Sequence, residues 1–245
     1  MVRVLILTLL LVLTRTATAE PIVLRAADGV KVYGEIWRAP AARAPIILAF
    51  HQAGSNHTEY APLAPRLNEA GFTVLAIDQR SGGNYFNGTN QTVAALGRST
   101  NFDAALADLA AALEWAGASA QGAPVLIWGS SYSAALVFLL AAQHPEEVAG
   151  VLAFSPGEYL GRSNAVRMAA KKITVPVFID QARDAGEITQ AAAILKAVSS
   201  TDKLQFVPAK AGVHGSSTLR ADKNPGGAEE NWQAVLKFLS HFKPT

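Results

Sequence analysis

Six short, nearly unbroken apolar runs recur along this chain, at 45–50, 72–77, 125–128, 148–154, 175–179 and 204–207, with longer segments between them. Strands that read as continuous apolar stretches, not as alternating ones, are covered on both faces, and that pattern belongs to a mostly parallel sheet between two layers of helix. Helices are expected at 60–70, 102–115, 134–143, 186–198 and 228–242. In the second of these, Phe102, Leu106, Leu109 and Leu113 recur at spacings of three and four and line one helix face. Ahead of the six runs, Ile22 to Arg25 and Val30 to Trp37 read as two strands joined at Asp28-Gly29, a hairpin turn signal. The expected fold is therefore an α/β sheet of eight strands, an antiparallel hairpin followed by six parallel strands. No repeat, low-complexity tract or long linker divides residues 20–245, which read as one domain.

The chemistry centres on Gly129-Ser130-Ser131-Tyr132-Ser133, which lies between the third of these runs and the helix expected at 134–143. A serine on a sharp strand-to-helix turn projects its hydroxyl from the end of a sheet, and the crowded backbone there calls for small neighbours two positions away. Ser131 is the expected nucleophile. The pentapeptide departs from the usual form in carrying Ser133 where a second glycine is common.

The N-terminus carries a basic start at Arg3, an apolar stretch from Val4 to Leu13, and Ala17-Thr18-Ala19 just before Glu20. This is the pattern of a secretory signal peptide cleaved after Ala19, although Arg15 interrupts its late region. The apolar stretch falls short of the roughly 20 residues that a membrane span requires, so no stable span is expected after cleavage and the product is expected to be secreted or periplasmic. Losing Arg3 and Arg15 from 21 basic residues leaves 19 against 19 acidic ones. A balanced charge without a basic stripe argues against a nucleic-acid partner. The chain has no cysteine, which excludes disulfides and a Cys/His zinc cluster, and no pair of its five histidines has the helical spacing of a zinc protease. No metal or cofactor is expected. Asn-x-Thr sequons begin at Asn56, Asn87 and Asn90, and they matter only on a eukaryotic secretory route.

From about Ile22 onward, the order of elements and the position of the pentapeptide after the fifth strand resemble the α/β-hydrolase family. That resemblance implies a chain order of Ser, then Asp or Glu, then His. After the seventh strand the sequence Asp180-Gln181-Ala182-Arg183-Asp184 places Asp184 at the family's acid position, with Asp180 and Glu187 as competitors. Ala211-Gly212-Val213-His214-Gly215 resembles the loop that carries the base, so His214 is the expected base, and nothing around His144 or His241 suggests a role. A serine needs such a base, and the base works best when a third group fixes its tautomer. His51-Gln52-Ala53-Gly54 resembles the oxyanion loop, which points to the backbone N–H groups of Ala53 and Tyr132 as donors, with Gln52 as runner-up for the first and His51 as a structural residue. Asp78-Gln79-Arg80-Ser81-Gly82-Gly83 resembles a family turn in which the aspartate and arginine hold loops together. The polar segment 82–100, with Tyr85 and Phe86, reads either as a cleft wall or as a surface loop.

Only Ser155 to Thr174 separates the sixth strand from the seventh, too little for a cap domain, so the site is expected to be open, similar to dienelactone-hydrolase-like proteins and small esterases. Epoxide hydrolases and dehalogenases carry an aspartate where this chain has Ser131. The resemblance implies an exported serine hydrolase that cleaves carboxylic esters of small molecules. The same machinery serves a thioesterase, peptidase or acyltransferase, and a silent binding module of the same fold is the alternative from another class. Substrate detail and oligomeric state are not legible in the sequence.

Overall fold

The computed structural model describes residues 18–243. All of the expected leader but Thr18 and Ala19 therefore lies outside the described residues.

The strands are β1 (Ala19–Arg25), β2 (Lys31–Trp37), β3 (Ile46–Phe50), β4 (Thr73–Ile77), β5 (Val125–Ser130), β6 (Gly150–Phe154), β7 (Val177–Asp180) and β8 (Lys203–Phe206). They form one sheet in the order β1-β2-β4-β3-β5-β6-β7-β8. β1 pairs with β2 and β2 with β4 antiparallel, and every other pairing is parallel. This is the eight-stranded α/β-hydrolase sheet that the apolar runs predict. The helices are α1 (Ala64–Glu69), α2 (Gln91–Leu96), α3 (Leu106–Ser119), α4 (Tyr132–Gln143), α5 (Ala165–Ala170), α6 (Ala185–Ala197) and α7 (Ala228–Leu239). Among the described residues no helix is long and apolar enough to cross a membrane.

Alternation along each strand divides the core in two. Leu48, Phe50 and Ile127 point to the face covered by α3, α4, α5 and α6, while Ile47, Ala49, Leu126 and Trp128 point to the face covered by α1 and α7. β3, β4, β5, β6 and β7 are buried on both faces, which explains why they read as unbroken apolar runs, whereas β8 at the sheet edge leaves Leu204 exposed. Helix α4 is buried from Tyr132 to Ala141 and so lacks a polar stripe. Each large side chain it buries, such as Leu136 or Phe138, contributes roughly 1.5–3 kcal/mol.

Two predicted helices become α-helical later than expected, each after a 3₁₀ turn. The first opens as a 3₁₀ turn at His57–Glu59 and becomes α1 only at Ala64, where Pro65 suits the first helical turn. The second begins with a 3₁₀ turn at Asp103–Ala105 before α3. Between β6 and β7 the only helix is the six-residue α5, so among the described residues no cap domain stands over the sheet.

The chain runs from β3 to β4 on one side, then crosses to β5 on the other. That reversal opens a crevice at the carboxyl ends of β3 and β5, the place where α/β sheets bind ligands. The loop after β3 and Ser131 after β5 both lie there.

Candidate active site

Ser131 sits at the break between β5 and α4 with φ 59° and ψ −120°, a strained conformation for a residue with a side chain. Its N–H donates to the Phe154 carbonyl of β6 at 2.8 Å, which holds the turn from the neighbouring strand. The turn is so tight that a Cβ on Gly129 would lie 2.3 Å from the Ser133 carbonyl oxygen. Ser133 itself fits because its hydroxyl is used: it donates to the His51 carbonyl at 2.6 Å and accepts from Gln79 Nε2 at 2.6 Å. The departure from glycine at this position is therefore a buried clamp between the elbow and the loop after β3.

His214 lies in the loop before the 3₁₀ turn Gly215–Leu219, with its Nε2 2.8 Å from Ser131 Oγ. Two serines fix this loop from the sheet. Ser155 Oγ accepts the Gly215 N–H at 2.8 Å, and Ser130 Oγ accepts the Ser216 N–H at 2.9 Å. Gly215 has φ 67°, and a Cβ there would come within 2.5 Å of Ser130 Oγ.

The residue against the other side of His214 is Glu187, not Asp184. His214 Nδ1 lies 2.8 Å from Glu187 Oε1, while Glu187 Oε2 accepts the Ala182 N–H at 3.1 Å. Asp184 is the N-cap of α6, and its exposed carboxylate turns back onto its own helix, accepting from Gly186 N–H at 2.9 Å and Glu187 N–H at 3.1 Å. An aspartate that satisfies the orphan amides of a helix start has its acceptor directed away from the imidazole. Asp180 is no substitute either, since it is buried, accepts from Gln181 N–H at 2.8 Å, and is held well above the carboxylate range by desolvation. A signal for the reassignment was present in Asp184-x-x-Glu187, the N-cap and third-position acid that open a helix. Partial burial pushes the Glu187 carboxyl up, but hydrogen bonds from His214, Ser155 and Ala182 outweigh it and hold its pKa below the usual value.

In this arrangement Nδ1–H donates to a carboxylate and Nε2 accepts the serine O–H, the tautomer in which an imidazole can take the hydroxyl proton. The amides expected to receive an oxyanion are both without a hydrogen-bond acceptor among the described residues. Tyr132 is the first residue of α4, so its N–H has no partner within the helix. In the loop after β3, the Gln52 N–H is already donated to Glu59 Oε2 at 2.8 Å, which removes the runner-up donor. Ala53 N–H makes no hydrogen bond among the described residues. His51 is wholly buried, with Nδ1 donating to the Gln52 carbonyl at 2.8 Å and Nε2 accepting the Gln79 N–H at 3.0 Å. Desolvation lowers its pKa to about 4, so it is a neutral structural residue.

The turn after β4 ties the surrounding loops together. Asp78 accepts His57 N–H and Nδ1 and the Gln91 N–H, at 2.7 to 2.8 Å. Arg80 bridges Asp108 of α3, at 2.7 Å, to Asp28 of the hairpin. Segment 82–100 is an anchored wall, since Asn56 Nδ2 donates to the carbonyls of Gly83 and Tyr85 and Tyr85 N–H donates to the Gly54 carbonyl. It faces His214 across an open cleft of about 640 Å³, in which the Arg220 guanidinium lies 4.6 Å above the Phe86 ring.

Solved structures with this architecture include an esterase from Pyrococcus furiosus at TM-score 0.71 and 18% identity, covering 93% of this chain and 92% of its own. A dienelactone hydrolase from Anabaena variabilis matches at 0.72 and 18%, covering 94% and 100%, and a cold-adapted esterase from an Arctic intertidal metagenomic library at 0.70 and 19%, covering 94% and 96%. At these identities the likeness defines the class, a protein of α/β-hydrolase fold. None of the curated proteins matches the chain in sequence. Residues 41–178 match the family described as serine aminopeptidase, S33, and the chain belongs to that family of hydrolases. The matched segment contains Ser131 and ends before Glu187 and His214.

Proposed function

We propose that this protein is an exported carboxylic-ester hydrolase that works through Ser131, His214 and Glu187. The observation that carries the reading is the relay of two 2.8 Å contacts, from Ser131 Oγ to His214 Nε2 and from His214 Nδ1 to Glu187 Oε1. Ser131 Oγ attacks the acyl carbonyl as its proton passes to His214 Nε2, and the Glu187 carboxylate stabilises the imidazolium. The N–H groups of Ala53 and Tyr132 receive the oxyanion. Collapse breaks the bond to the alcohol, which leaves with the His214 proton, and a water activated by the same imidazole releases the acid. Export rests on the leader pattern at 1–19. Support for an ester comes from the similar structures, which are those of esterases and a dienelactone hydrolase, and from the capless cleft.

A fluorophosphonate probe tests the reading on the mature protein. Labelling is expected at Ser131, lost in Ser131→Ala and strongly slowed in His214→Ala, and the unlabelled enzyme is expected to turn over short-chain esters. A folded wild-type protein that takes no label would refute it and favour a silent binding module. Labelling with turnover of peptides or thioesters alone would move the substrate class.

A further inference from the structure

Glu59 has no part in the acyl transfer described above, yet it is wholly buried directly behind the oxyanion loop. It ends the 3₁₀ turn His57–Glu59, with Oε2 accepting the Gln52 N–H at 2.8 Å and Oε1 having no hydrogen-bond partner among the described residues. Burying a carboxyl in which only the bond from the Gln52 N–H is well formed is unfavourable, and an apolar side chain of similar volume would serve a core better. Desolvation pushes this carboxyl up to about 7, while the Ser130 and Ser55 hydroxyls, the Gln52 N–H and the charge of Arg220 pull against it. The other titratable groups facing it are the phenols of Tyr60 and Tyr132.

The position has a consequence for the loop. Of its successive N–H groups, that of His51 is taken by Gln79 Oε1 at 2.9 Å and that of Gln52 by Glu59, which leaves the next, Ala53, without an acceptor among the described residues. Ser130, whose hydroxyl neighbours Glu59, also accepts the Ser216 N–H of the histidine loop. The carboxyl thus stands at the junction of the loop that would receive the oxyanion and the loop that carries His214.

We propose that Glu59 is a positioning residue, a fixed acceptor that pins the His51–Gln52 peptide so that the next one, whose carbonyl is bonded by His51 Nδ1, keeps the Ala53 N–H in the orientation an oxyanion requires. The inference rests on the acyl-transfer reading above. Oxyanion donors act only when preorganised, and a small misplacement costs on the order of a hundredfold in rate. The requirement is for an acceptor oxygen, not for a charge, which separates Gln from Leu at this position. Glu59→Gln keeps an oxygen for the Gln52 N–H; Glu59→Leu fills the volume without one.

Steady-state hydrolysis of a short-chain p-nitrophenyl ester, with fluorophosphonate labelling rates, tests this on variants whose folding is verified by circular dichroism. Glu59→Leu is expected to lower kcat and the labelling rate roughly 10- to 100-fold with KM within about threefold, and Glu59→Gln to stay within about threefold of wild type in both. A leucine variant as fast as wild type, or a glutamine variant as slow as the leucine one, overturns the proposal while leaving the hydrolase reading intact. Should the leucine variant not fold, the glutamine variant decides alone, with a loss of tenfold or more against the proposal. A wild-type protein that neither hydrolyses nor labels overturns the hydrolase reading and this inference with it.

Discussion

Exchanging the two neighbouring acids, Glu187→Gln and Asp184→Asn, separates the residue the family pattern points to from the one the structure brings to His214. Both Glu187 oxygens act as acceptors, Oε1 from His214 and Oε2 from the Ala182 N–H. A glutamine can satisfy only one of these. If its oxygen stays with the fixed backbone amide, its NH₂ faces His214 Nδ1 and favours the tautomer that cannot accept the Ser131 proton. The lost charge adds to this. Unit charges 2.8 Å apart at an effective dielectric of about 40, a value chosen because His214 is exposed, attract by about 3 kcal/mol, or roughly a hundredfold in rate. Together the two effects predict a kcat about 10² to 10⁴ lower, the upper end being what the wrong tautomer alone costs in a serine protease. Asp184→Asn keeps an equally good helix N-cap, so its kcat is expected within about twofold of wild type and its melting temperature within a degree or two. Steady-state kinetics on a soluble ester, with melts on both variants, reads the contrast. An inactive, folded Asp184→Asn beside an active Glu187→Gln would refute the assignment drawn from the geometry.

Two further perturbations test the buried polar framework. Ser133→Gly restores the commoner elbow but strips hydrogen-bond partners from the His51 carbonyl and Gln79 Nε2; leaving such groups unsatisfied costs about 1–3 kcal/mol, and chemical denaturation should read a loss of that size, whereas an unchanged midpoint would mean the clamp contributes nothing. His51 is held neutral down to about pH 4, while in the unfolded chain it binds a proton below about 6.5. Its contribution to stability is therefore present above pH 6.5 and is lost as the pH falls toward 4. Relative to His51→Gln, wild type should lose about 2 kcal/mol between pH 7.5 and pH 5, and parallel urea-denaturation curves would refute the sign. The comparison with the variant is needed because His57 works the other way: burial lowers its pKa, but Asp78 and Glu35 more than compensate and leave it raised, so its stabilisation is present below the unfolded value and lost as the pH rises through the folded one.

The sheet was legible because the physics that builds it acts locally. A strand buried on both faces has no polar positions, so β3, β4, β5 and β6 announce themselves as apolar runs, and the short segment between β6 and β7 limits what can stand above the site. Ser131 and His214 were legible for a different reason: a tight elbow and a tight loop before a 3₁₀ turn restrict their neighbours to small residues, and Gly129 and Gly215 satisfy limits that a Cβ would break. The carboxylate that meets His214 was harder. Asp184 occupies the position the family pattern points to, but two local backbone amides compete for its carboxylate against one distant imidazole. The helix start wins because the aspartate is already beside those amides, and Glu187, one turn into α6, reaches His214 instead. Linear spacing cannot weigh a local cap against a contact between residues 27 positions apart.

The same weighing of local against distant partners shapes the surroundings of the site. Ser133 stands where a glycine is common and brings a hydroxyl into a crowded, buried place, while the half-buried Gln52 lines the open cleft and enters the framework through its backbone N–H. Ser133 donates its hydroxyl proton to the His51 carbonyl and takes one from Gln79, Gln79 Oε1 accepts the His51 N–H, and the Gln52 N–H is accepted by Glu59. The bonds to His51 and Gln52 join the loop after β3 to the turn after β4, to the start of α4 and to the buried turn at His57–Glu59, and the Gln79–Ser133 bond ties two of those partners to each other, so the loop is held by side chains from its surroundings. Removing the side chain of Ser133, Gln79 or Glu59 strands a partner at another position, and substitutions at Ser133 and Gln79 should couple in their effects on stability instead of adding. The loop after β3 is consequently held by bonds to three neighbouring segments, and under the acyl-transfer proposal such preorganisation is the condition under which backbone donors lower a reaction barrier most.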